Sequence, residues 1–450
     1  MNNVKSIYMK RNIIKSLIKW KNKTDRKPLL LTGVRQCGKT YILKEFGNTY
    51  FEDCAYLNFE NNPNLKFIFE QDFDVKRIIK EIESIVIQKS IVQGKTLLIL
   101  DEIQECSSAI TSLKYFCENM PKLHLVCAGS LLGVKIKQSN ISFPVGKVEH
   151  IQMYPMSFDE FVCADNGEKY IKALNEISLD KPLSELYTIP LEKYLKQYFI
   201  VGGMPEVVLS WVNKHDYNEI DELQENIIYD YSNDFSKHAP LTEVPKLGWI
   251  WDSIPKQLAK ENNKFIFSHV KEGKRSNDLE NALQWLENAG LVYCPQKVSN
   301  PEAPLSFSSD TTYFKVYMSD IGLLRKRSNL SYKSILAENE LFSSFKGAIA
   351  ENYINNELKA NKIMPYFYRS GNIAEIDFLI EKDNIIIPIE VKSADNTRAK
   401  SLSTYIKRYS PKYAFKMSLK NIASNTVGNT ELKSIPLYLA WKLFRDINNI

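Results

Sequence analysis

The sequence predicts an α/β protein whose first part is a parallel sheet flanked by helices. Three observations predict it. Short apolar runs at Cys54–Phe59, Thr96–Leu100 and Leu123–Ala128 alternate with helical segments such as Val75–Gln88 and Ser108–Met120, which is the rhythm of βαβ units. A strand-like run, Lys27–Thr32, leads directly into a glycine-containing loop and a helix that begins Tyr41-Ile42-Leu43. A second buried run, Leu97–Leu100, ends in Asp101 and Glu102. That puts two acids at the carboxyl edge of the sheet, where open α/β folds bind their ligands.

Length and composition bound the rest. The chain has 450 residues, enough for about three domains. Hydrophobic residues make up 44% and charged residues 25%, which excludes wholesale disorder. No apolar run approaches the ~18 residues that span a bilayer. The basic N-terminus lacks the apolar stretch of a signal peptide, so no membrane partner is expected. The seven cysteines form no C-x-x-C pair. That argues against a disulfide framework or a cysteine zinc site and points to a reducing cytoplasm. The five histidines include no H-E-x-x-H, which speaks against a zinc hydrolase.

The elements follow in order. Residues 5–25 read as a basic amphipathic helix. Residues 1–160 form the first domain, and 161–243 read as a mainly helical connector broken at Gly202-Gly203-Met204-Pro205. In 244–335, Asn277 with Glu280 makes a capping box. Leu279, Leu283 and Leu286 form one helical stripe, and Gly290 stops the helix. Two strand-like runs, Leu291–Val298 and Tyr313–Met318, come next. Helix, helix, hairpin is the order of a winged-helix-like domain. Such elements bind DNA in some chains and serve as structural joints in others. Residues 336–450 read as helix, hairpin, helix.

Gly33-Val34-Arg35-Gln36-Cys37-Gly38-Lys39-Thr40 matches G-x-x-x-x-G-K-[ST] in full, between the strand and helix that the motif requires. This is the signature of a P-loop NTPase, with ATP and Mg²⁺ as the expected ligands. Backbone N–H groups from Gly33 to Tyr41 point at phosphate oxygens. Lys39 reaches the β- and γ-phosphates, and the Thr40 hydroxyl ligates Mg²⁺. Asp101 holds the ion through water, and Glu102 orients and polarises the attacking water. Ser130, after the run Leu123–Ala128, is placed to sense the γ-phosphate, although a turn serine would look the same.

A second set of chemistry-bearing residues is Glu351, Asp377, Glu390 and Lys392. Glu351 shares a helical stripe with Ala348, Ile354 and Leu358, and an acid there needs a partner. Asp377 lies on the strand Glu375–Ile380, and Glu390 and Lys392 lie on Ile385–Ser393. If the hairpin closes on Lys382-Asp383, residue 377 faces 388 and residue 375 faces 390. Glu375, Asp377, Glu390 and Lys392 then share one face, an arrangement that a one-residue bulge would break. Such crowded carboxylates call for a cation. Lys392 is one, and a divalent ion (Mg²⁺ or Mn²⁺) on Glu351, Asp377 and Glu390 is the other, suited to phosphodiester attack with Lys392 taking part.

Charge supports a nucleic-acid partner. Residues 341–450 carry 16 Lys/Arg against 10 Asp/Glu, while the first 340 carry 43 of each. Arg398–Lys420 holds seven basic residues and no acid, which fits either a solvated face or one that contacts phosphates.

The phosphate loop, the L-D-E-I-Q after the second strand and Gly129-Ser130-Leu131-Leu132 are similar to those of AAA-like ATPases of bacteria and archaea. So are Tyr154-Pro155-Met156-Ser157-Phe158 and Gly202-Gly203-Met204-Pro205-Glu206. The resemblance implies a C-terminal restriction-endonuclease-like domain, and the quartet resembles its PD-(D/E)xK signature. One departure stands out. The family usually has Gly-Arg before the Tyr154 segment, and this chain has Gly146-Lys147, a poorer substitute if that arginine aids hydrolysis. The leading expectation is a Mg-ATP-dependent ATPase coupled to a nuclease-like domain acting on DNA. The alternative is an ATP-gated switch whose inactive nuclease-like domain binds DNA or a protein. A protein partner or a second copy of the chain stays open.

Overall fold

The computed structural model describes residues 9–130, 143–260, 264–337, 343–370, 374–392 and 400–449. Two compact units result. One is Arg11–Tyr154 with the turn Asn288–Gly290, and the other takes in Pro155–Glu287 and Leu291–Ile450.

The first unit is built on β1 (Leu29–Gly33), β2 (Asp53–Asn58), β3 (Thr96–Asp101), β4 (His124–Ala128) and β5 (Glu149–Met153). All neighbours run parallel, in the order β2-β3-β4-β1-β5. The apolar runs in the sequence fall within two residues of the first four strands. β5 has no such run: Glu149, His150 and Gln152 interrupt its apolar residues, as suits an edge strand. β3 and β4 are buried at every position. Each fully buried leucine contributes ~1.5–3 kcal/mol, which anchors the residues at the strand ends. Because β4 lies between β3 and β1, three strand ends are neighbours: the phosphate loop, the Asp101-Glu102 pair and Gly129-Ser130.

The N-terminal helix is shorter than expected, Ile13–Lys21, and buries Leu17 and Trp20; residues 5–8 of that expectation lie outside the described residues. The helix at Val75 runs to Glu81 and continues as a wider π turn, Ile82–Ile87.

In the second unit, helices carry most of residues 158–258. The break at Gly202-Gly203 is a packing requirement. A Cβ on Gly203 would sit 2.1 Å from the Met156 carbonyl oxygen, and buried Asp320 accepts from the Gly203 N–H at 2.6 Å. The helix Ser276–Asn288 buries Leu279, Leu283 and Leu286. It starts before the expected Asn277 cap, and Asp278 accepts from the Arg275 N–H at 2.9 Å.

The winged-helix expectation is corrected at the hairpin. Each expected long strand is interrupted, giving β6 (Val292–Tyr293), β7 (Gln296–Val298), β8 (Ser309–Phe314) and β9 (Tyr317–Met318). Pro295 falls in the first interruption and has no N–H to give to a ladder; Lys315-Val316 is the second. Among the described residues, β6 pairs only with β9. β7 and β8 instead extend the C-terminal sheet, made of β10 (Tyr366–Ser370), β11 (Ala374–Lys382), β12 (Ile385–Val391), β13 (Tyr413–Ser418), β14 (Ala423–Val427) and β15 (Thr430–Pro436). The order is β14-β15-β13-β12-β11-β10-β7-β8. The hairpin is therefore not a separate wing, and the expected domain boundary at 335 cuts through one sheet. None of the described helices is long and apolar enough to cross a membrane.

Candidate functional sites

The nucleotide loop is assembled as its motif requires. Gly38 takes a positive φ of 91° at the start of the helix Lys39–Tyr50, a conformation that disfavours a side chain. A Cβ on Gly33 would meet the Met153 carbonyl oxygen at 2.3 Å, so the loop can pass beside β5 only with glycine there. Val34 and Cys37 are buried, Arg35 and Gln36 half-buried and Tyr41 exposed. The Lys39 ammonium donates to the carbonyls of Gly33 (2.9 Å) and Val34 (3.0 Å), which holds its charge inside the loop. Buried Arg11, which sequence reasoning missed, fixes the loop from the N-terminal side. It donates to the Cys37 carbonyl at 3.1 Å and to the Tyr154 carbonyl at 2.6 Å.

The second strand end meets this loop. The Thr40 hydroxyl donates to Asp101 Oδ2 at 2.7 Å, bringing together the two groups expected at Mg²⁺. Tyr56 donates to the same oxygen at 2.8 Å and receives a bond from Asn58 at 3.1 Å. Both come from β2, which carries no motif. Asn58 is at least foreshadowed by the β2–β3 register, which pairs it with Asp101. Glu102 adopts a left-handed φ of 50°, an uncommon state for a residue with a side chain and one found at functional sites. Burial raises the pKa of its carboxyl and Asp101 adds to the rise, while the bond from Gln104, Lys39 and Arg35 work against it. A carboxylate raised in this direction is a better proton acceptor than an ordinary one. Ser130 is buried just beyond β4; Leu131 and Leu132 lie outside the described residues. Lys147, at the position where the resembling family has arginine, pairs on the surface with Glu118 at 2.9 Å.

One family model covers the segment that carries this geometry. A family model described as an AAA domain matches residues 25–162. Residues 25–162 are an AAA-type P-loop ATPase domain, and the chain is an ATPase. Two further models, the domains of unknown function DUF8612 and DUF4143, match residues 192–334 and 346–438. An uncharacterised protein of Methanocaldococcus jannaschii is 23% identical over 89% of this chain and 82% of its own length. Among solved structures, the Walker-type ATPase of Pyrococcus abyssi is 13% identical, with a TM-score of 0.44 over 71% of this chain and 96% of its own. The Aeropyrum pernix ORC1 protein, solved in complex with DNA, is 13% identical, with a TM-score of 0.29 over 72% of this chain and 92% of its own.

Of the C-terminal quartet, Asp377, Glu390 and Lys392 are brought together on the β11–β12 hairpin, on a register different from the expected one. The β11–β12 turn is Asp383-Asn384, with φ of 50° and 62°, the geometry of a type I′ hairpin. Phe378 therefore pairs with Ile389 and Lys382 with Ile385, two residues away from the expected pairing. An even shift keeps the same residues on one face and, continued by one residue, sets Asp377 opposite Glu390. On the β10 side a bulge does occur, between the pairs Tyr368/Ile376 and Tyr366/Leu379. Asp377 accepts from the Val391 N–H at 2.7 Å. Lys392 pairs with Glu390 Oε1 at 2.6 Å, while Glu390 Oε2 is buried and has no hydrogen-bond partner among the described residues. Burial holds the Asp377 carboxyl well above the carboxylate range, and Glu390 and Glu351 push the same way. Burial also raises Glu390, against the pull of Lys392.

Sequence reasoning missed two members of this cluster. Lys315, from the interruption between β8 and β9, is 1% exposed and contacts Glu375 at 2.9 Å and Glu351 at 3.3 Å. Tyr317 donates to Glu351 Oε2 at 2.8 Å. Burial works against the Lys315 charge, but Glu351, Tyr317 and Glu375 overcome it and raise its pKa well above the lysine range. The expected metal trio is thus not gathered. Among the described residues, no three His, Cys, Asp or Glu side chains converge closely enough to share a metal ion. Glu351 is engaged by Lys315 and Tyr317 instead. The Asp377–Glu390 pair, with its orphaned oxygen, is the part that fits one divalent ion.

The basic stretch is divided. Arg398 lies outside the described residues. The helix Lys400–Tyr409 buries Leu402, Tyr405 and Ile406 and leaves Lys407 and Arg408 exposed. Lys416 stands in register with Glu390 and is half-buried, so it belongs beside the acid pair.

Proposed function

We propose that Mg-ATP hydrolysis in this chain is coupled to a C-terminal domain that acts on nucleic acid through a nuclease-like cluster. In the ATPase site, Gly33–Tyr41 cradle the phosphates and Lys39 leaves its loop carbonyls for the β- and γ-phosphates. Thr40 and Asp101 hold Mg²⁺, Glu102 positions water and Ser130 senses the γ-phosphate. In the C-terminal site, Asp377 and Glu390 would hold a single divalent ion, which supplies water activation and charge stabilisation at a phosphodiester. Lys392 keeps its cation against that pair, where negative charge would develop. The observation that carries this reading is Glu390 Oε2, a buried carboxylate oxygen without a partner among the described residues, next to Asp377 and Lys392. The test is a plasmid-nicking assay with Mn²⁺ or Mg²⁺. Cleavage should be abolished by Asp377→Asn and by Lys392→Ala while ATP hydrolysis continues; cleavage that persists in both variants would refute it.

A second reading, an ATP-gated binding switch with an inactive cluster, is favoured by Lys315, which already neutralises the Glu351 side. No nicking by a wild-type chain that binds DNA, or instead a protein, would select it. Both nucleic-acid readings expect DNA affinity to fall with salt, by about 0.9 in the log–log slope per phosphate contact. Exposed Lys407 and Arg408 are the candidate contacts. Replacing both with alanine should lower the slope by roughly two; an unchanged slope assigns the helix to solvent.

A further inference from the structure

The Lys315 side chain is fully buried against Glu351 and Glu375 at 3.3 and 2.9 Å, on a segment that belongs to neither strand of the acid-bearing hairpin. Its ammonium also lies 5.1 Å from the centre of the Phe367 ring, and Tyr317, two residues on, donates to the same Glu351. The outer edge of the cluster has a second cation, with Arg369 Nε 3.8 Å from Glu375. We infer that Lys315 is the resident counter-ion of the Glu351–Glu375 half of the cluster, occupying the place a second metal ion would take, so that at most one divalent ion binds, at Asp377 and Glu390.

Charge and geometry support this together. A carboxylate partly withdrawn from water is stabilised by pairing and hydrogen bonding, and half-buried Glu351 and Glu375 obtain these from Lys315, Tyr317 and Arg369. Among the described residues, the one ion pair that Asp377 and Glu390 make is Lys392 with Glu390 at 2.6 Å, and Lys315 and Lys416 act on the pair from farther away. An ammonium supplies its charge permanently and cannot be removed by a chelator. Lys315 reaches the cluster from the interruption between β8 and β9, outside the β10–β12 hairpins, while its own N–H donates to the Pro295 carbonyl at 3.1 Å. The limit on ion number rests on the metal site proposed above; the counter-ion role of Lys315 does not.

The test counts Mn²⁺ bound by the full chain in a Lys39→Ala background without nucleotide, using electron paramagnetic resonance. At most one ion should bind in that background. Adding Lys315→Met should admit one further ion, and Glu375→Gln on top should remove it again. A Lys315→Met chain that folds but binds no additional ion would overturn the inference, as would two cluster ions with Lys315 present. If the background binds none and Lys315→Met binds one, the proposed Asp377–Glu390 metal site fails and the role of Lys315 stands. Should Lys315→Met not fold without metal, Lys315→Met/Glu375→Gln should recover most of the lost melting temperature, because the charge and its partner leave together. A double variant as unstable as the single one would mean that Lys315 acts through packing alone.

Discussion

Lys39→Ala is expected to abolish most ATP binding while the protein stays folded. The ammonium is the main fixed cation of the loop, and without nucleotide it rests on the Gly33 and Val34 carbonyls. Alanine leaves those carbonyls without their donor and the triphosphate without its counter-charge. The folding cost is local, because the buried β3 and β4 do not depend on Lys39. Equilibrium binding of a fluorescent ATP analogue, with circular dichroism as the folding control, measures the effect. Unchanged affinity in a folded variant would show that the loop does not hold the phosphates.

Glu102→Gln is expected to keep nucleotide affinity and lose at least ~10² in the hydrolysis rate, the ordinary contribution of a group that positions or deprotonates water. Its left-handed backbone, its partner Gln104 and its raised carboxyl pKa all concern the state of one side chain beside the Thr40–Asp101 contact. Glutamine preserves size and keeps one acceptor oxygen for Gln104, and it removes the charge and the ability to accept a proton. Steady-state phosphate release and nucleotide affinity, measured on the same preparation, separate the two effects. Hydrolysis at the wild-type rate would remove Glu102 from the mechanism.

The nucleotide site was legible in the sequence because its physics is local. Glycines at fixed spacing, a lysine and a threonine occupy eight consecutive positions, and the Asp101-Glu102 pair announces itself by ending a wholly apolar run. Its supporting residues were not legible. Arg11 reaches the loop from a helix with no motif, and Tyr56 and Asn58 come from a strand whose inward positions carry no signal until the β2–β3 register is known. In the C-terminal sheet, the E-x-K pair and Asp377 could be read from period-two alternation. The register could not, because Asp383-Asn384 competes with Lys382-Asp383 as the turn and only the first satisfies two positive φ angles. Lys315 was hidden for a different reason. Its run reads as one strand, and the interruption that admits it becomes visible only once β7 and β8 join the sheet.

In the proposed function, nucleotide state governs what the C-terminal domain does with nucleic acid. The most direct measurement is the DNA affinity of the Glu102→Gln chain, at fixed salt, with saturating Mg-ATP and then with saturating Mg-ADP. Because the variant holds ATP without consuming it, each state can be titrated at equilibrium. Coupling between two sites typically amounts to about 5–150-fold in affinity, and a difference within that range is the predicted result. Equal DNA affinity in the two nucleotide states, or no DNA binding in either, would contradict the account.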